Sequence, residues 1–176
     1  MSGTGEDSRR DALRDGRKEA ARVSGVSVRM LTERDELARI TDWMYGWWGL
    51  REGYTREAVN ACMAHSLRVS GLPRTFGLFL GEELIGMYQF TLSDLFVRPD
   101  VYPWLANVYI DEKHRGLGFG REMLRSVAGN AASVGLRELY LFTEHTGLYE
   151  EFGWEFIGTI DTHLDPREQR LYRLRV

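Results

Sequence analysis

Residues 108–124, Val-Tyr-Ile-Asp-Glu-Lys-His-Arg-Gly-Leu-Gly-Phe-Gly-Arg-Glu-Met-Leu, constrain this chain more than any other stretch. An apolar run that reads as a strand enters a loop with glycines at 116, 118 and 120. A segment with helical apolar spacing leaves it, through Met123, Leu124, Val127, Ala128, Ala131 and Ala132. Glycine accepts positive φ and close backbone approach. Successive N–H groups of such a loop can therefore line a concave anion nest. The positive end of the following helix points into it. Arg115 and Arg121 add full charges, so the loop suits a diphosphate.

Other loops of this kind fit less well. A P-loop requires Gly-Lys followed by Ser or Thr, which this stretch lacks. A dinucleotide fingerprint requires G-x-G-x-x-G after a first strand. Here Arg121 stands where the last glycine belongs, and several strand-like runs come earlier. The plain alternative is a tight strand-to-helix turn that binds nothing.

The rest of the chain alternates between the two periodicities. Val26 to Met30 reads as a strand, and Thr32 followed by Glu33, Asp35 and Glu36 as a helix cap with an acidic first turn. That helix carries Leu37, Ile40, Trp43, Met44 and Trp47 on one side until Gly49 and Gly53, with Trp43 and Trp47 expected in the core. Thr55 caps a second helix through Ser70, where Val59, Cys62, Met63 and Leu67 share a face. Runs 75–80 and 84–92 flank Gly81-Glu-Glu83 as a hairpin. Two prolines fix the loop before a strand at 104–110. Leu139-Tyr-Leu-Phe142 reads as a strand buried on both faces. A short helix at 148–152 follows, then strands at 156–160 and 170–176 separated by Asp165-Pro166. The order β-α-α-β-β-β-α-β-α-β-β predicts an α/β fold on a mixed, mostly antiparallel central sheet flanked by helices. Residues 1–25, in which only Leu13 and Val23 are large apolar residues of the interior, are expected to form a flexible charged tail beside one domain at 26–176.

Composition narrows the function. Of 176 residues, 23 are Lys or Arg and 26 Asp or Glu, a formal charge of -3 that disfavours a nucleic-acid binder. The single cysteine, Cys62, rules out an intrachain disulfide or a cysteine-based zinc site and reads as a small buried residue. The four histidines show no metal spacing; His65 and His163 read as surface or structural, and no metal is expected. With no membrane-length apolar run and no apolar signal at the N-terminus, a soluble, cytoplasmic protein is expected.

Arg-x-x-Gly-x-Gly over Arg115 to Gly120, after a strand and before a helix, resembles the acetyl-CoA signature of the GNAT N-acetyltransferases. Leu148-Tyr-Glu-Glu-Phe-Gly-Trp154 is similar to the later Leu-Tyr-x-x-x-Gly-Phe segment of that family, at the expected separation. Pro103-Trp104-Leu105 is typical of a subset, and the element order over 26–176 resembles the family fold. The resemblance implies acetyl-CoA as acyl donor. Its pyrophosphate would lie on Arg115, Gly116, Leu117, Gly118, Phe119, Gly120 and Arg121. Its pantetheine arm would lie beside Val108, Tyr109 and Ile110, where strands 104–110 and 138–143 part. An N–H near Tyr109 or Ile110 would polarise the thioester carbonyl.

By the same resemblance, Tyr149 is the general acid for the departing thiolate, since a phenol stays protonated at neutral pH. Asp94, Glu144 and His145 are candidate bases; the family's frequent asparagine before the tyrosine is replaced here by Thr-Glu-His-Thr-Gly. Trp48, Tyr54 and Asp94, with Glu52 nearby in sequence, are candidate walls for a cationic amine. The acceptor is expected to be a small-molecule or peptide amine, with no nucleic acid and no membrane as partner; a homodimer is left open. Two rivals remain at this point: a non-catalytic acyl-CoA-binding module, which would not need Tyr149, and a dinucleotide oxidoreductase.

Overall fold

The structure is a computed structural model that describes residues 25–32, 36–68, 70–162 and 168–176. The expected tail as far as residue 24, Glu33 and Asp35 of the acidic turn, His163 and Asp165-Pro166 lie outside the described residues. Seven strands form one sheet: β1 (Val26–Met30), β2 (Arg74–Leu80), β3 (Glu83–Thr91), β4 (Trp104–Ile110), β5 (Glu138–Thr143), β6 (Glu155–Ile160) and β7 (Gln169–Arg175). Their spatial order is β1-β2-β3-β4-β5-β7-β6. Every neighbouring pair is antiparallel except β4 and β5, which run parallel. The longer helices are α1 (Leu37–Met44), α2 (Arg56–Ser66) and α3 (Phe119–Ser133).

Strand β3 sorts the core onto two faces, its alternation reset by a bulge at Ile85, where Leu78 pairs with Gly86 and Phe79 with Leu84. Ile85, Tyr88 and Phe90 join Phe119, Met123, Val127 and Ala131 of α3 in the larger cluster. Leu84 and Met87 face the other way, to Ile40 and Met44 of α1 and Val59 and Met63 of α2. A third, smaller cluster packs Leu95, Val101 and Trp104 with Ile160 and Leu171. The predicted mixed sheet with flanking helices is therefore present.

Several local expectations need correction. After α1 the chain widens into a π-helical turn, Tyr45–Gly49, with Leu50 N–H donating to Tyr45 O at 2.9 Å. The extra residue per turn rotates Trp47 off the buried stripe, so it is 44% exposed instead of core, and Trp43 is half-buried. Helix α2 is capped by Thr55, which accepts from Ala58 N–H at 3.2 Å, but it ends at Ser66. Its inward line is Val59, Met63 and Ser66, which leaves Cys62 exposed at the rim, not buried. Strand β5 buries Leu139 and Leu141 fully but Tyr140 and Phe142 only partly. The expected short helix is a 3-10 turn, Glu150–Phe152. Among the described residues no helix is long and apolar enough to cross a membrane.

Candidate active site

The glycine loop begins where β4 is irregular. Met87 pairs with Tyr109 and Gln89 with Ala106, so Asn107 and Val108 together stand opposite Tyr88. This bulge gives Asn107 a φ of 53°. Beyond it, Tyr109 packs on the α1 side and Val108 and Ile110 pack on the α3 side. A 3-10 turn, Glu112–His114, leads to Gly116 and Gly118, with φ of 74° and 85°. Gly118 is the N-cap of α3 and carries no side chain to accept from the first turn. A Cβ built on Gly116 or Gly120 would meet no atom within 4 Å, so these backbone positions border open space. Leu117 leans on the large cluster and Phe119 is buried in it, which anchors the loop at two points.

The two arginines are not idle. Arg115 folds back, its Nε donating to Ile110 O at 2.9 Å and its guanidinium 5.1 Å from the Tyr109 ring centroid. Arg121 pairs with Glu151 of the 3-10 turn, Nη2 to Oε1 at 3.0 Å. Both guanidinium groups thus have local partners, and the loop leads into the first turn of α3, at the positive end of its dipole.

Next to the loop the sheet opens. Strands β4 and β5 share one partner pair, Trp104 with Tyr140, supported by Tyr140 N–H to Pro103 O at 2.9 Å. From there, among the described residues, β5 pairs only with β7, and the 108–110 end of β4 pairs only with β3. A cavity of about 540 Å³ adjoins that end, lined by Val108, Tyr109 and Ile110 and by Trp43, Trp47 and Arg115. Trp43 and Trp47 stack obliquely on Tyr109, with centroids 5.4 and 5.6 Å away.

Tyr149 sits on the connection after β5. Its ring packs edge-on against Trp154 and obliquely against Tyr172, both at 6.1 Å. Burial pushes its hydroxyl up to about 12. Beside it, the Tyr172 hydroxyl donates to Glu150 Oε1 at 2.7 Å, holding that carboxyl below its ordinary range. Glu144 and His145 are exposed just past the end of β5. On the other side, Trp48 meets Tyr54 edge-on at 5.8 Å, and its indole N–H donates to Asn107 Oδ1 at 3.1 Å. Asp94, in the β3–β4 connection, is exposed as a residue, yet its carboxyl is pushed up to about 7, by desolvation first and by the Glu52 charge second. The expected wall residues Trp48, Tyr54 and Asp94 thus gather around the end of the π-helical turn. Tyr149, His145 and Glu144 form a separate group at the end of β5.

Residues 36–154 match the family model described as Acetyltransferase (GNAT) family. The chain belongs to the GNAT acetyltransferases. Over 96 residues it is 29% identical to a spermine/spermidine N(1)-acetyltransferase of Bacillus subtilis, covering 48% of this chain and 61% of that protein's length. A spermidine N-acetyltransferase chimera from Vibrio cholerae has a similar fold, with TM-score 0.65 at 18% identity over 86% of this chain and 96% of that one. So does a GNAT acetyltransferase of Elizabethkingia anophelis with acetyl-CoA bound, at 0.56 and 14%, covering 87% and 99%. The mixed sheet with flanking helices is the fold this chain shares with these solved structures. Among the described residues no group of three or more His, Cys, Asp or Glu is placed to hold a metal. Sequence reasoning passed over Asn107. An asparagine inside the run Trp-Leu-Ala-Asn-Val-Tyr-Ile was the available signal, because asparagine is rare in regular strands and tolerates positive φ.

Proposed function

We propose that this GNAT acetyltransferase moves the acetyl group of acetyl-CoA directly to a primary amine of a small molecule or peptide. The observation that carries the reading is the parting of β4 from β5 beside an uncapped glycine loop at the start of α3. The diphosphate would lie on Arg115 to Gly120 and take the N–H groups from Gly116 onward and the helix dipole, since the Arg115 N–H donates to Glu112 O at 3.2 Å. The pantetheine amides would pair with the edge of Val108 to Ile110 as an added strand, taking the place of Arg115 Nε at Ile110 O. An N–H near Tyr109 or Ile110 would then stabilise the oxyanion.

The transfer balances with residues of this chain. The amine nitrogen attacks the thioester carbonyl, the carbon–sulfur bond breaks, and the CoA sulfur takes a proton from Tyr149. A phenol held near 12 keeps that proton in the resting enzyme. It yields the proton when thiolate charge appears in the same dry setting, which raises the thiol pKa as well. Of the three candidate bases we favour Asp94, whose raised pKa near neutrality suits acceptance of a proton from an ammonium. Trp48 and Tyr54 would supply aromatic faces, and Asp94 with Glu52 negative charge, for a cationic substrate. The Bacillus subtilis relative, named for spermine and spermidine, makes polyamines the first acceptors to try. The test is release of free CoA thiol from acetyl-CoA with a panel of polyamines, aminoglycosides and peptides with free N-termini. Acceptor-dependent release supports transfer. Tight acetyl-CoA binding with no release for any amine would refute it.

A further inference from the structure

Trp48, on the acceptor side, and the β4 bulge, on the donor side, are joined by one row of hydrogen bonds. The Trp48 indole donates to Asn107 Oδ1 at 3.1 Å, and Asn107 Nδ2 donates to Gln89 Oε1 at 2.6 Å. Gln89 Nε2 donates to Thr75 Oγ1 at 2.8 Å. The Thr75 and Ser66 hydroxyls lie 2.6 Å apart, and Ser66 donates to the Met63 carbonyl at 2.7 Å. Gln89, Thr75 and Ser66 are buried, at 3%, 0% and 2% exposure.

Chemistry at the ends fixes the direction of the row. An indole N–H can only donate, so Asn107 turns its oxygen to Trp48 and its nitrogen to Gln89. Gln89 must then show oxygen to Asn107 and nitrogen to Thr75. Ser66 gives its proton to Met63, which leaves Thr75 as donor between the two hydroxyls. Every donor meets an acceptor in this one arrangement. Reversing either amide would set like atoms against each other in a buried place, where an unmade bond is costly. Asn107 itself occupies a backbone region that few residues other than glycine accept, at φ 53°.

We propose that Asn107 is a positioning residue with two separable tasks. Its backbone holds the bulge that presents β4 to acetyl-CoA, and its side chain fixes Trp48 as the wall of the amine site. The proposal rests on the transfer reading above for what lies on each side. Neither task places Asn107 in contact with reacting atoms.

Two substitutions separate the tasks. Asn107→Gly removes the side chain but keeps access to positive φ, whereas Asn107→Ala removes the side chain and disfavours that backbone. Acetyl-CoA affinity by calorimetry should stay within about twofold of the parent in Asn107→Gly and fall about tenfold in Asn107→Ala. The amine KM should rise about tenfold in both variants. Trp48→Phe, which keeps a ring without an N–H, should repeat the rise in amine KM, and combining it with Asn107→Gly should add little. Equal acetyl-CoA affinities in the Gly and Ala variants would overturn the backbone task. An unchanged amine KM in Asn107→Gly would overturn the side-chain task.

A ligand-free readout keeps the two hypotheses distinct. The Trp48 indole N–H resonance, identified by its loss in Trp48→Phe, should move upfield in Asn107→Gly as its hydrogen bond disappears. An unmoved resonance in a folded variant would sink the side-chain task. If the parent protein acetylates no amine, the transfer reading fails, while calorimetry and this resonance still judge Asn107.

Discussion

Tyr149 is held where its proton is hard to lose. The ring lies between Trp154 and Tyr172, and burial lifts its hydroxyl to about 12. Tyr149→Phe keeps that packing and removes the proton, so it should lower kcat about a hundredfold while acetyl-CoA affinity stays level. Stopped-flow thiol release and calorimetry on the same variant check both halves. Asp94 makes a second residue-scale prediction. With its pKa raised to about 7, kcat/KM should climb with pH through neutrality as the carboxyl loses its proton, and Asp94→Asn should lower the rate and remove that limb. The sign for stability is the reverse. A carboxyl whose folded pKa exceeds the unfolded value favours the protonated fold, so stability falls as pH rises between the unfolded value and about 7. Melting curves of Asp94→Asn should lack that fall and lie above the parent at pH 8. Both residues could be named from sequence, Tyr149 through its motif and Asp94 through its place at a strand end. What the letters hid was their surroundings, since desolvation depends on neighbours far away in the chain. Trp47 shows the same limit. Its spacing belongs to an α-helix, and only the π-helical turn reveals that it stands outside the core.

Among the elements, β4 is the one whose detail matters most. Its limits, 104–110, follow from the apolar run, and the helix after the glycines follows from the stripe at Met123, Leu124 and Val127. The asparagine in that run hints at an irregularity, but the bulge and its register follow from pairing with β3, a contact between residues about twenty apart in sequence. Gly86 belongs to the same pairing. It stands opposite Ile110, and a Cβ there would come within 2.7 Å of Tyr109 O and of Ile110 Cδ1. Gly86→Ala must therefore push β4 away from β3, costing about 1–3 kcal/mol. Urea melts should show the loss, and acetyl-CoA affinity should drop with it because the displaced segment is the cofactor edge. At the other end of the loop, Gly118 has φ 85° at the N-cap of α3. Gly118→Glu would strain that backbone and set a carboxylate against the N–H groups proposed for the diphosphate. Acetyl-CoA affinity by calorimetry should fall by at least about tenfold, with the helix itself intact by circular dichroism.

Across the whole molecule the seven strands behave as two plates. Strands β1 to β4 form one and β5 to β7 the other, joined in the ladder among the described residues only at Trp104 and Tyr140. The core under α3 spans both plates, with Leu105 on one side and Leu139, Leu141 and Tyr172 on the other. Trp104 closes the narrow end of the opening against Tyr140 and Phe142, with centroids 6.3 and 6.0 Å apart. A ligand whose amides pair with β4 in the gap should slow hydrogen exchange at Val108 to Ile110 and raise the melting temperature. Exchange unchanged at that edge, despite saturating acetyl-CoA, would rule out added-strand binding. The seam also has a mechanical meaning. Force applied across the sheet would meet the fewest main-chain bonds along the line where the cosubstrate is proposed to lie, so the empty enzyme should tear first at its own workplace. Acetyl-CoA would act there as a removable rivet. Any substitution that zipped β4 to β5 permanently would yield a tougher protein with nowhere left to work.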